Sequence, residues 1–146
     1  MTGTSTQQDR PAGDRPAVLF VCVKNGGKSQ MAAGLMKHAA GNAVTVLSAG
    51  TKPGSEVNAL SAECLLEIGI DITREVPKPV TPELVAAADL VVVLGRDAVV
   101  EPDDGTPVIT WDTDEPSERG IDGIDRMRLV RDDIAAHIEA LVVRLT

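Results

Sequence analysis

The chain has 146 residues and a formal net charge of -8, with 43% apolar and 25% charged residues. That length supports one domain with a substantial core, while the acidic balance argues against nucleic acid or a basic membrane-binding face, both of which need clustered Lys and Arg. No apolar run is long enough to span a membrane and the N-terminus lacks the apolar core of a signal peptide, so a soluble, cytoplasmic protein is expected.

Met1 to Pro16, rich in Thr, Gln, Asp, Gly and Pro and without periodicity, reads as a disordered leader; residues 17–146 read as the single domain. Val18 to Val21 is a buried strand that ends at Cys22 and enters a short loop, Val23-Lys24-Asn25-Gly26-Gly27-Lys28. A helix follows from Ser29 to Ala40, stopped by Gly41. Val44 to Leu47 is a second strand, leading through Ser48-Ala-Gly50 into a Pro/Gly loop. Asn58 to Ile68 carries apolar residues at three- and four-residue spacing and is a helix closed by Gly69. Thr81-Pro-Glu is an N-cap, a first-turn proline and an early carboxylate, opening a short helix to Ala88. Leu90 to Leu94 is continuous apolar strand, of the kind covered on both faces. A weaker edge strand, Pro107 to Trp111, precedes an acidic loop from Asp112 to Asp122. The last helix, Ile124 to Leu145, shows Met127, Val130, Ile134, Ile138, Leu141 and Leu145 on one face. Strands alternating with helices imply a small, doubly wound, four-stranded parallel α/β sheet with helices on both faces. Ligands of such sheets bind beyond the carboxyl ends of the strands, where the Cys22 loop and the acidic loop both fall.

Strand, glycine-bearing loop and helix N-terminus form an anion cradle: backbone N–H groups converge on one oxyanion, and the helix dipole faces it. Cys22, at the bottom of that cradle, is placed where a thiolate is favoured. The only other cysteine, Cys64, falls among Leu60, Leu65 and Ile68 and reads as a buried, inert thiol. His38 and His137 lie within helices, far from the loop, and no His/Cys cluster has metal-binding spacing. The charged run with Arg126, Arg128, Arg131, Asp132 and Asp133 reads as a solvated face.

Cys22, five intervening positions and then Lys28-Ser29 resembles the phosphate-binding loop of low-molecular-weight protein tyrosine phosphatases. Val46-Leu-Ser-Ala-Gly50, Ile68-Gly-Ile-Asp71, Ala88-Asp-Leu-Val-Val92 and an acidic residue beside Pro116 repeat the family's order. Within that family, Ser29-Gln-Met-Ala is similar to the arsenate reductase branch. Phosphotyrosine phosphatases flank their pockets with aromatic residues, and Phe20 and Trp111 are all this chain offers. The thioredoxin-coupled reductases carry two further cysteines after the strand matching Leu90 to Leu94. Here that position is Gly95 and no cysteine follows. The branch that uses mycothiol, the small thiol of actinobacteria, does not need those cysteines, and the Val23–Lys28 loop and the Trp111-Asp-Thr-Asp-Glu-Pro116 segment resemble it.

The resemblance implies arsenate held by the N–H groups of Val23, Lys24, Asn25, Gly26, Gly27, Lys28 and Ser29. It implies charge balance from Lys28, where the family has Arg, and a Cys22 thiolate stabilised by Ser29. Glu115 or Asp114 would protonate the departing oxygen, with Asp112 also in reach; the family has Asp before the proline where this chain has Glu115. Lys24 reads as a solvated loop lysine able to turn inward, and Asn25 both tolerates an unusual backbone angle and braces the loop. Mycothiol enters as co-substrate, with no tightly bound cofactor and no metal, and a mycoredoxin-type redoxin acts downstream to release arsenite. Whether Cys22 bonds arsenic or only lines the site stays open at this level. Two other readings of the same residues are a phosphatase acting through a Cys22 phospho-enzyme and a non-catalytic oxyanion-binding module.

Overall fold

A computed structural model describes residues 15–146, so the leader read over residues 1–16 lies outside the described residues apart from Arg15 and Pro16. The elements are β1 (Ala17–Cys22), α1 (Lys28–Ala40), β2 (Thr45–Gly50), α2 (Ala59–Leu66), α3 (Pro82–Ala87), β3 (Leu90–Leu94), β4 (Val108–Trp111) and α4 (Gly123–Leu145). The four strands form one parallel sheet in the order β2-β1-β3-β4. The α/β expectation holds, and chain direction reverses across β1, which makes its carboxyl end the switch point where such sheets bind ligands.

Alternation along the strands sends side chains to two cores. Val18, Phe20, Leu90, Val92 and Leu94 pack beneath α1, α2 and α4. Leu19, Val21, Val91 and Val93 meet Val85 and Ala88 of α3 on the opposite face. β1 is buried at every position, as a central parallel strand must be. The local signals act as read: the Thr81 hydroxyl accepts the Leu84 N–H at 3.1 Å, and the Asn58 side chain caps α2 by accepting from Ser61 N at 2.9 Å.

Two elements differ from expectation. β2 runs on through Ser48-Ala49-Gly50, because Cys22 stays in register with Gly50 at the very end of β1. The small residues at its end let the neighbouring backbone come close. A Cβ on Gly50 would lie 2.6 Å from the Val23 carbonyl oxygen and 2.9 Å from Asn25 N. The charged run of α4 is also more than a solvated face. Arg128 and Arg131 both bond Glu67 at the end of α2, and Arg131 Nη1 donates to the Cys64 carbonyl at 2.8 Å. This ties α2 to α4 across the top of the first core.

Two outcomes follow. Gly50→Ala forces the loop backbone aside and is expected to cost about 2 kcal/mol or more in urea unfolding; an unchanged midpoint would mean the loop yields freely. Hydrogen bonds from Arg128 and Arg131 hold Glu67 down to about 2, from an ordinary 4.5. A depressed carboxylate contributes stability above the unfolded value and loses it as pH falls toward the folded one. Glu67→Gln should therefore remove part of the stability loss between pH 4.5 and 2 seen by thermal melts.

Candidate active site

The loop from Cys22 to Lys28 is turned inside out, with its carbonyls facing away from its centre. The carbonyls of Cys22, Val23, Lys24 and Gly26 accept N–H groups of Thr51, Lys52, Gly54 and Asn58 at 3.1, 2.8, 2.9 and 2.7 Å. Gly27 O accepts Met31 N at 2.9 Å, and Asn25 O accepts Gln30 Nε2 at 3.2 Å. In a planar trans peptide the C=O of one residue and the N–H of the next point in opposite directions. With six successive carbonyls held outward, the N–H groups of residues 23–28 are left on the inner side. One of them shows the direction: Asn25 N–H meets Cys22 Sγ at 3.3 Å. This reversal turns the loop's N–H groups inward at the N-terminus of α1.

Asn25 holds the loop from within. It is fully buried and the one non-glycine described with positive φ, at 52°. Its Oδ1 accepts Lys78 N at 3.0 Å and Gln30 Nε2 at 3.2 Å, while its Nδ2 donates to Ser29 Oγ at 2.7 Å. Ser29 Oγ lies 3.0 Å from Cys22 Sγ. Because that oxygen already accepts from Asn25, its own hydrogen is free for the sulfur. Asn25, Ser29 and Cys22 thus form a relay that points donors at the thiol. Gln30 has a part in this that the sequence reading missed; its only signal is a buried amide in an otherwise apolar helical turn.

Lys28 begins α1, and its ammonium is held at the edge of the loop by Glu115 and by Thr113 Oγ1, the latter at 2.7 Å. Thr113, 5% exposed, is the second residue that sequence reasoning passed over, since a threonine between two aspartates carries no pattern. The three acids of this loop separate by partner. Asp112 forms a fork with Arg96 at 3.1 and 2.7 Å, and that hydrogen-bonded guanidinium holds its carboxyl below the ordinary range. Asp114 does the same with Arg119 at 2.8 and 3.1 Å. Glu115 alone of the three meets Lys28. Lys24 is exposed.

Neither aromatic ring stands beside the cradle as a pocket wall. Trp111 is 9% exposed, tilts against Phe20 at 5.9 Å and stacks on His137 at 4.9 Å, so His137 serves the core. Cys64 is fully buried; its Sγ donates to Ser61 O at 3.2 Å, and burial pushes its thiol up. Among the described residues no group of three or more His, Cys, Asp or Glu converges on a metal site, and no helix is long and apolar enough to cross a membrane.

Residues 17–146 match the family model described as low molecular weight phosphotyrosine protein phosphatase. The chain belongs to that family. Arsenate reductase 1 of Staphylococcus epidermidis is 31% identical over 138 residues, spanning 90% of this chain and 98% of that protein. A thioredoxin-dependent arsenate reductase of Corynebacterium glutamicum superposes with a TM-score of 0.73 at 34% identity, over 90% of this chain. This chain spans 61% of that longer protein. An arginine phosphatase from Geobacillus stearothermophilus superposes with a TM-score of 0.76 at 25% identity, over 89% of this chain and 92% of that one. One loop architecture therefore serves more than one oxyanion chemistry in the family, and the groups around the cradle must choose among them.

Lys28 and Glu115 are partly exposed, so their pairing is worth roughly 0.5–1 kcal/mol and is open to competition from a bound dianion. Glu115→Gln removes the competitor. Inorganic phosphate should then bind about two- to fivefold more tightly by titration calorimetry; an unchanged affinity would show that Lys28 does not exchange Glu115 for the anion.

Proposed function

We propose that the protein is a cytoplasmic, thiol-dependent arsenate reductase that transfers arsenic to mycothiol, an arsenate–mycothiol transferase with no tightly bound cofactor. The observation that carries this reading is the isolation of Cys22. Reducing As(V) to As(III) takes two electrons, supplied by two thiols that end as a disulfide. The chain has two cysteines, and Cys64 is sealed in the core with its thiol raised by burial. Cys22 therefore has no partner within the chain for a disulfide, and both reducing thiols must come from outside. Relatives named arsenate reductase at about 30% identity support the substrate, and the lack of an aromatic wall speaks against phosphotyrosine.

Arsenate enters the N–H basket, and Lys28 leaves Glu115 for the oxyanion. Glu115, now beside an anion, carries the proton that lets one arsenate oxygen depart as water. An As–S bond to mycothiol replaces the lost As–O bond, so the adduct is still As(V). A thiol of a separate mycoredoxin-type protein then attacks the mycothiol sulfur. The S–S bond forms, the As–S electron pair returns to arsenic, and arsenite leaves. Lys28 serves this cycle better than a rigid fork, because a single flexible ammonium can alternate between Glu115 and the anion.

The test is arsenate-dependent NADPH consumption, with mycothiol, its reductase and a mycoredoxin in one cuvette and thioredoxin with its reductase in another. Turnover confined to the mycothiol cuvette is expected. Turnover with thioredoxin alone would overturn the thiol assignment, and silence in both with hydrolysis of p-nitrophenyl phosphate would make the protein a phosphatase. Cys22→Ser should lower mycothiol-dependent turnover at least a hundredfold if arsenic bonds to Cys22 before transfer.

A further inference from the structure

Beside the loop lies a cleft of about 700 Å³, bounded by Lys24, Gly26, Gly27 and Lys28 on the floor, by residues 52–59 on one wall and by α4 on the other. Its charge is unlike that of the molecule. The chain has 14 basic and 22 acidic side chains, yet this cleft is lined by Lys24, Lys28, Lys52 and Arg126 against a single acid, Glu56. Arg126 is the notable member. Its neighbours on α4, Arg128 and Arg131, are neutralised by Glu67, Asp125 and Asp132. The Nε of Arg126 is buried and has no hydrogen-bond partner in the structure. A buried guanidinium nitrogen without a partner is costly and calls for an explanation.

We infer that this cleft is the seat of the small-thiol co-substrate and that Arg126 is the cation that draws its thiolate toward the oxyanion in the Cys22 loop. The inference rests on the thiol-dependent reading given above. Two anions must converge in this reaction, an arsenate dianion and a thiolate, and like charges resist that approach unless fixed cations flank the path. Lys28 is committed to the oxyanion or to Glu115, so a separate cation on the cleft side is required. Arg126 is on that side and unspent. The rest of the cleft suits the uncharged, hydroxyl-rich body of a pseudodisaccharide thiol: Val57, Met127 and Val130 offer apolar surface to ring C–H faces, while Lys52 stands at the opposite wall.

The experiment is steady-state kinetics of the full chain with mycothiol as the varied thiol and mycoredoxin in excess. Arg126→Gln is expected to raise KM for mycothiol about tenfold, the loss of one charge-assisted hydrogen bond. KM for arsenate and kcat at saturating mycothiol should stay within about twofold, and Arg126→Lys should recover part of the loss. Lys52 is exposed, so Lys52→Gln cannot act through unfolding, and it should raise the same KM by about two- to threefold. A wild-type-like KM for mycothiol in both Gln variants, with wild-type turnover intact, overturns the cleft assignment and leaves the reductase reading standing. No mycothiol-dependent turnover in the wild type overturns both.

Discussion

The outward clamping of the Cys22 loop carbonyls is the constraint on which the rest of the molecule depends. A loop that presents N–H groups to an anion must dispose of its carbonyls elsewhere, because a buried peptide oxygen without a donor costs stability. The segment after β2 meets that need: Thr51, Lys52, Gly54 and Asn58 supply the donors. The close approach then explains the glycines. A Cβ at Gly50 would press on Val23 O at 2.6 Å, and one at Gly26 would reach Glu56 O at 3.0 Å. β2 is in the sheet to deliver this second loop at the right height, and its register with β1 extends to Cys22 and Gly50 for the same reason.

The replacement of a guanidinium by an ammonium at the end of the loop changes how charge is handled. An arginine there would grip two oxygens of a tetrahedral anion in a fixed plane. Lys28 instead sits on Thr113 and Glu115, in a partly exposed pair of modest strength. In the proposed cycle it exchanges Glu115 for the anion, which links the proposed proton donor to the anion's arrival. Asp112 and Asp114, each locked to an arginine, lie outside that exchange.

Much of this was legible in the sequence. The strand, loop and helix around Cys22, the cap at Thr81 and the apolar stripe of α4 are local patterns, and each appears where its spacing put it. What periodicity could not reach are contacts between elements. Thr113 is a polar residue whose role exists only because Lys28 comes within hydrogen-bond distance from a distant part of the chain, and Gln30 acts through the turn of the loop that brings Asn25 back to it. Ser48-Ala49-Gly50 was read as the tail of the second strand, and what the sequence did not show is that its smallness makes room for the neighbouring backbone. Arg126 looked like its neighbours on a charged helix; only the ion pairs of Arg128 and Arg131 set it apart.

The end of β3 shows why an internal thiol relay does not fit this chain. In the thioredoxin-coupled pattern, from which the sequence departs here, a cysteine follows this strand. Here Gly95 occupies the position with φ at 87°, a backbone region that strains any L side chain. A Cβ there would also lie 3.7 Å from Lys28 Nζ. That distance is ordinary contact, so the obstacle to a cysteine at this position is the backbone itself: an L side chain at this φ is strained, whereas glycine adopts it freely.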